Sequence, residues 1–331
     1  MASAPVWLTE KDVTSAVSIT TGIGALERVL AAEGRGEAEN MTKTHLMVGA
    51  NNPLNALGGS VAAEGVCGTK TWVNIQGKSA TVLVLFSLEN GDVKAVVEAT
   101  ALGQIRTAAM TGLGTKWLAP EGADEMAIIG TGKQSIPQMA ACMKVRPLKR
   151  IRVYARTRDK LVAFVEQAQK ELGSGTKIVA ADSLEAACKD APIITLCTNA
   201  QKPFFEASMA SKGAHINAIG SIVPARAEFT QDVFSRVTTV AVDSVPAVQE
   251  LSREFIDYYG AGKASWDQVK PLSKVVHEKY RRPANTDLTL FKAMGMGIAD
   301  LAMAIEVLRK AEGEQGFGHK LPERVRFMPK F

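Results

Sequence analysis

Apolar positions recur at roughly helical spacing over residues 9–32. Val13, Val17, Ile19, Ile23, Leu26, Val29 and Leu30 predict one helix, capped at its start by Thr9 and broken by Gly34 and Gly36. Pieces rich in β-branched residues follow at 43–48, 69–75, 80–88 and 93–100. The last two flank Glu89-Asn90-Gly91-Asp92, and Asn-Gly between strands is a strong hairpin signal. The N-terminal third therefore predicts antiparallel sheet plus helices. A helical pattern returns at 105–118 and ends near Pro120.

After Pro120 the texture changes. Short continuous apolar runs at 126–129, 151–154, 177–180, 192–197, 215–219 and 237–242 alternate with helical stretches, clearest at 158–172 and 184–189. Such alternation predicts βαβ units around a buried parallel sheet. Residues 290–311 predict a long helix rich in small residues, and 312–331 read as a surface tail.

A chain of 331 residues suggests two domains at roughly 150 residues each. Hydrophobic residues at 46% and charged residues at 22% exclude a disordered, collagen-like or coiled-coil chain. The net charge of +5 comes without a long basic run, so no nucleic-acid partner is expected; it suits a small acidic ligand. Four scattered cysteines have no CxxC pair and no metal-ligand spacing, so a reducing compartment and no metal are expected. With no signal-peptide pattern and no membrane-length apolar stretch, the expectation is a soluble cytoplasmic protein.

The strongest chemical signal is Met126-Ala-Ile-Ile-Gly130-Thr-Gly132-Lys133-Gln134-Ser135. An apolar strand runs into GxGxxS and then a helix. Gly130 allows the tight turn, Gly132 lets a pyrophosphate approach the backbone, and the small Ser135 suits close helix–strand packing. Gly130, Gly132, Lys133, Gln134 and Ser135 are thus candidate cofactor residues, with the helix N-terminus offering N–H groups to phosphate. The next strand ends Val153-Tyr154-Ala155-Arg156-Thr157-Arg158, with arginines where an NAD-selecting acid would stand. Arg156 and Thr157 suit a 2′-phosphate, which favours NADP(H), with NAD(H) the alternative. Cys197 and Thr198 end another parallel strand, the edge where ligands of such folds lie; small packed residues also suit that place.

Three basic residues stand out in the first third. Arg106, in Gln104-Ile105-Arg106-Thr107-Ala108-Ala109, suits a carboxylate. Lys70 lies mid-strand with Trp72 on its own face, which is unusual unless that face is a cleft. Lys43 lies in Thr42-Lys43-Thr44-His45. From spacing alone each also suits an ordinary surface position. His215 reads as a packing residue, Asp243 as a cap, and Met294 and Met296 as core; for Asp300 a structural and a cofactor-proximal role are equally open.

These pieces, in order, make the chain similar to the ornithine cyclodeaminase/mu-crystallin family over about residues 43–304. The resemblance is carried by Ala80-Thr-Val-Leu-Val-Leu-Phe with Asn90-Gly91, Arg106-Thr-Ala-Ala109 with Thr115-Lys116, and Gly130-Thr-Gly132-Lys-Gln134. His215-Ile-Asn217-Ala-Ile-Gly220, Val242-Asp243-Ser244, and Thr289-Leu-Phe-Lys-Ala-Met-Gly-Met296 with Asp300 complete it. It implies an α/β protein: a Rossmann-type parallel-sheet NAD(P)-binding domain over 116–294, and an α+β substrate-binding and dimerisation domain built from 1–115 and 295–331. It further implies a homodimer acting on the Cα–N bond of a small α-imino or α-amino acid. Lys70 and Arg106 match the family's carboxylate-binding pair, with Lys70 the candidate proton donor. Lys43 stands where the family has an arginine, keeping the charge but losing the fork.

A second departure bears on the reaction. In Gly220-Ser221-Ile222-Val223-Pro224, Ile222 occupies the position of the acid found in ornithine cyclodeaminase and archaeal alanine dehydrogenase. Ser221 is a further candidate cofactor contact. Ketimine reductases of the mu-crystallin type also lack that acid. The resemblance therefore implies NAD(P)H-dependent reduction of an α-imino acid by hydride transfer to Cα, with a dicarboxylate such as iminosuccinate suited to three nearby cations. The alternatives are a cyclodeaminase-type lyase releasing ammonia and an NADPH-dependent, crystallin-like binding protein.

Overall fold

A computed structural model describes residues 4–49, 52–76 and 78–322. The chain divides into two compact units, Met1–Arg106 with Met296–Phe331, and Thr107–Gly295.

The first unit opens with β1 (Val6–Leu8), α1 (Glu10–Ala16) and α2 (Ile19–Gly34). The single helix expected over 9–32 is two. Thr9 caps α1 through a reciprocal capping box with Asp12. Val17 then turns extended, and Ser18 caps α2 by accepting from Thr21 N–H. There follow β2 (Ala38–Asn40), β3 (Thr44–Val48), β4 (Asn52–Val61), β5 (Val66–Ile75), β6 (Lys78–Ser87) and β7 (Val93–Glu98). The expected hairpin joins β6 to β7, with Gly91 at φ 74°. Next comes α3 (Thr100–Leu118), which starts five residues earlier than its periodicity suggests.

The second unit continues with β8 (Glu125–Ile129), α4 (Ser135–Val145), β9 (Arg150–Tyr154), α5 (Arg158–Leu172), β10 (Lys177–Ala180), α6 (Leu184–Cys188), β11 (Ile193–Leu196) and β12 (His215–Ala218). It is completed by α7 (Asp232–Arg236), β13 (Val237–Val242), α8 (Val245–Leu251), α9 (Arg253–Phe255), β14 (Val269–Pro271), α10 (Leu272–His277) and β15 (Leu288–Lys292). The eight strands pair in parallel in the order β10-β9-β8-β11-β12-β15-β13-β14. Alternation along each strand feeds two cores. In β8, Met126 and Ile128 join Met139, Ile151 and Leu161 in one core, while Ala127 and Ile129 join Phe205, Ile216 and Phe229 in another. After β8 the chain builds β9 and β10 on one side, then returns to start β11 on the other. The order therefore reverses between β8 and β11, the place where such sheets bind ligands.

The chain ends with α11 (Gly297–Gly313) and β16 (His319–Lys320) in the first unit. The long helix expected over 290–311 is thus corrected to β15, a break at Gly295 (φ 94°), and α11. The tail expected at the surface over 312–331 is exposed or half-buried as far as residue 322, and the rest lies outside the described residues. The first unit's sheet runs β16-β1-β7-β6-β5-β4-β2, with β3 also paired to β4. α11 packs against α2, β4 and β5. The approach to β4 is backbone on backbone: a Cβ on Gly297 would stand 1.9 Å from the Gly58 carbonyl oxygen.

Candidate active site

The first unit gathers all three candidate basic residues. Lys70 sits mid-way along β5 and is 5% exposed. A lysine this deep needs a partner, and its Nζ lies 2.6 Å from Asp300 Oδ1. Asp300 is fully buried in the first turn of α11, where the helix's positive end favours a carboxylate. The same oxygen accepts from Arg106 Nε at 3.2 Å. That bond uses the side of the guanidinium and leaves its two terminal nitrogens for another acid. Asp300 Oδ2 is buried with no protein partner. Lys70 and Lys43 both face the Trp72 ring, at 5.1 and 5.6 Å from its centroid.

Charge sets the character of this cluster. Burial, reinforced by Arg106 and Lys43 and opposed by Asp300, brings the Lys70 ammonium down to about 8. Burial and then Arg106 also lower Lys43. Lys70 and Arg106 share one carboxylate, and Lys43 is near enough to act on both cations, so the cluster carries surplus positive charge. Asp300 is the member that sequence reasoning left undecided. With one helix expected over 290–311 the acid read as mid-helix, and its partner Lys70 lies 230 residues away.

In the second unit, β8, β9, β11 and β12 are parallel, so the remaining candidates share the carboxyl edge of one sheet. Gly130 turns the chain at φ 119°, and a Cβ there would stand 2.3 Å from the Cys197 carbonyl oxygen, so only glycine fits. At Gly132 a Cβ would meet nothing within 4 Å, which leaves the backbone open to a ligand. Lys133 is exposed and Ser135 fully buried at the start of α4. Gln134 Oε1 and both amide atoms of Gln138 are buried without a protein partner. A glycine turn, open backbone, a helix start and orphaned amides at the sheet's reversal fit a dinucleotide. At the end of β9, Arg156 and Thr157 are exposed, and Thr157 caps α5 without using its hydroxyl. Arg158 is instead engaged with Asp182 at 3.1 Å.

The loops after β11 and β12 are held from beneath by an ion network that sequence reasoning missed. Glu228 is fully buried. Its Oε1 accepts from Thr198 N–H and Oγ1 at 2.7 and 2.8 Å, and its Oε2 from Gly220 and Ser221 N–H at 2.8 and 3.3 Å. Glu254 Oε1 accepts from Glu228 N–H, and its Oε2 from Ser252 Oγ. Lys292 ends β15 fully buried, donates to the Ser221 carbonyl and lies 4.0 Å from Glu254. Burial raises Glu228; Lys292 and the accepted hydrogen bonds oppose that rise. Thr198 thus spends its hydroxyl bracing the loop. Ser221 Oγ is buried with no partner, Ile222 is exposed, and burial followed by Glu228 pushes the Cys197 thiol up to about 12. The signal for Lys292 was a charge closing an apolar strand, hidden while that stretch read as helix.

The residues read as structural behave so. His215 is fully buried between Thr289 Oγ1 and Asn217 Oδ1, at 2.9 and 3.0 Å, and burial takes it down to about 3, so it stays neutral. Asp243 accepts from Met294 and Gly295 N–H. Met294 and Met296 are buried.

Residues 4–315 match the family model described as the ornithine cyclodeaminase/mu-crystallin family. A Delta(1)-pyrroline-2-carboxylate reductase of Bacillus cereus is 30% identical over 242 residues, covering 72% of this chain and 73% of that protein. The iminosuccinate reductase of Paracoccus denitrificans is 27% identical over 311 residues, covering 92% and 95%. Its crystal structure with NAD+ matches at a TM-score of 0.90, with 24% identity, over 97% of this chain and 100% of that one. The Delta(1)-pyrroline-2-carboxylate reductase of Thermococcus litoralis, solved with NADH and L-proline, matches at 0.87 with 24% identity over 96% and 100%. With its parallel nucleotide-type sheet, its basic cluster and a match over nearly its whole length, the chain belongs to the ornithine cyclodeaminase/mu-crystallin family.

Proposed function

We propose that this protein is an NAD(P)H-dependent reductase of a small α-imino acid. The observation that carries the reading is the buried Lys70–Asp300–Arg106 cluster, a carboxylate clamp beside a lysine whose pKa is about 8. Arg106 holds the substrate's α-carboxylate through its terminal nitrogens. Lys70 holds a proton at Nζ near neutral pH and gives it to the imine nitrogen; Asp300 keeps that ammonium charged and in place. When bound, the dinucleotide supplies the hydride that Cα accepts. Gly130, Gly132, Lys133, Gln134, Ser135 and Ser221 hold it, while Thr198 and Cys197 shape the loop beside it. Names of the matched relatives, pyrroline-carboxylate and iminosuccinate reductases, support this chemistry. Ile222 in place of an acid speaks against cyclodeamination.

Three finer assignments follow. Arg156 and Thr157, exposed where an acid would select NAD, favour NADP(H). Lys43 and the surplus positive charge favour a substrate with a second carboxylate. A homodimer is favoured by the exposed apolar strand β3, where Leu46 (62% exposed) and Val48 share one face with Leu54 opposite Leu46, and Met47 is exposed on the other. Four unbridged cysteines suit the reducing cytoplasm, and no helix of the described residues is long and apolar enough to cross a membrane.

The test is oxidation of NADPH and NADH by the purified protein. The panel comprises 2-oxo acids with ammonia or methylamine, cyclic imino acids, and iminosuccinate. Oxidation dependent on an imine, fastest with NADPH and a dicarboxylate, is expected. Ammonia release from ornithine without net cofactor oxidation would replace the reading with a lyase. Cofactor binding without turnover of any imine would leave a binding protein.

A further inference from the structure

The second unit has a cavity of about 730 Å³ on the edge of its sheet opposite the nucleotide loop. Its walls come from the end of α3, the end of α4 and the segment after α10, which precede β8, β9 and β15. No role described above uses it, and its volume lies within the usual range for small-molecule sites.

Its floor is two arginines. Arg146 is buried, and Nε, Nη1 and Nη2 all donate to main-chain carbonyls of Pro120, Val145, Lys116 and Ala119. Arg282 donates to the carbonyls of Leu118 and Gly213 and to Thr289 Oγ1. Among the described residues neither guanidinium makes an ion pair, and Glu121 acts on Arg146 only through its charge. The end of α3 offers roughly half a negative charge against two full positive ones. Burial lowers both arginines, and Arg146 further lowers Arg282. Lys279 and Arg281 add positive charge at the walls, and Glu121, whose charge acts on Arg146, is the lone carboxylate among the described lining residues.

Two further observations concern shape. Lys279 stands at φ 50°, in the left-handed region, where the chain closes the end of α10 by Lys279 N–H to Val276 and Tyr280 N–H to Val275 carbonyl bonds and sends the lysine to the cavity wall. Trp117 and Tyr280 supply aromatic walls, each with a lysine over its ring, Lys116 at 5.9 Å and Lys270 at 5.6 Å from the centroids. Surplus positive charge asks for a ligand with more than one negative charge. Aromatic walls suit a planar body.

We propose that this cavity binds a nucleoside phosphate, its phosphates against Lys279 and Arg281 over the arginine floor and its base against Trp117 and Tyr280. The site is separate from the nucleotide loop at Gly130, so cofactor and ligand bind together.

Isothermal titration tests this on protein saturated with NADPH or NADH. The probes are ATP, pyrophosphate and citrate, and the variants are Lys279→Gly and Arg281→Glu. Lys279→Gly suits the backbone it replaces, and Arg281 is exposed, so both variants fold. One-to-one ATP binding is expected, weakened roughly tenfold or more in each variant, with cofactor affinity unchanged. Absence of ATP binding, or binding equal in wild type and variants, would overturn the site. Pyrophosphate as tight as ATP would overturn the base-binding part, and citrate as tight would overturn the choice of phosphate.

Discussion

Each unit buries a lysine beside carboxylate, and the two clusters differ in what they leave unfinished. Around Lys292 every carboxylate oxygen of Glu228 and Glu254 has a partner, most of them main-chain N–H groups of the loops being held. Around Lys70, two cations share one oxygen of Asp300 with Lys43 adding charge nearby, the second oxygen of Asp300 is unpartnered, and the terminal nitrogens of Arg106 are left over. A closed network has nothing to offer a ligand and reads as a brace. An open one has unspent hydrogen-bonding capacity and surplus charge, both of which a carboxylate would satisfy. The comparison separates positioning from binding without reference to which residues happen to be charged.

The largest effect is expected from breaking the closed network. Lys292→Met leaves two buried carboxylates without their cation, a loss on the order of 3–5 kcal/mol. Thermal denaturation should show a large fall in Tm, and Glu228→Gln introduced alongside should recover part of it. An unchanged Tm would mean the network is not a brace. Next comes the open cluster. Lys70→Met should lower kcat by roughly 10²–10⁴ if Lys70 is the acid, with little change in cofactor affinity. In the wild type, activity that needs protonated Lys70 is present below pH 8 and lost as pH rises through it. Asp300 raises the lysine's pKa, so Asp300→Asn should move that basic limb to lower pH. A limb that stays put would remove Asp300 from the proton-holding role. The smallest effect is at the nucleotide edge. Arg156→Ala should weaken NADPH by about 1–2 kcal/mol and leave NADH nearly untouched, measured as separate KM values.

Much of the fold was legible because its signals are local. Asn90-Gly91 fixed a hairpin, Thr9 a cap, and Gly130 a turn whose conformation admits no other residue. What the sequence hid was either ambiguous in period or distant in chain. Leu288–Lys292 is buried on both faces, so it alternates no more than a buried helix does, and the strand merged with α11 in the reading. Asn52–Val61 holds two glycines and a proline, and read as neither strand nor helix. Its Gly58 is there because a Cβ would strike the Gly68 carbonyl across the sheet. Lys43, Lys70 and Arg106 were found singly; their convergence depends on Asp300, which arrives from the far end of the chain.

The meeting of Gly297 with Gly58 has a consequence for transplanting this chemistry. The first turn of α11 touches β4 through bare backbone at Gly297, and Asp300 lies in that same turn, three residues on. The helix cannot retreat by a methyl group's width without carrying the carboxylate away from Lys70. A designer who copied Lys70, Arg106 and Asp300 into another scaffold, with alanines for those glycines, would inherit the reagents and lose the spacing. The heritable unit of this site is therefore five residues, two of which have no side chain at all.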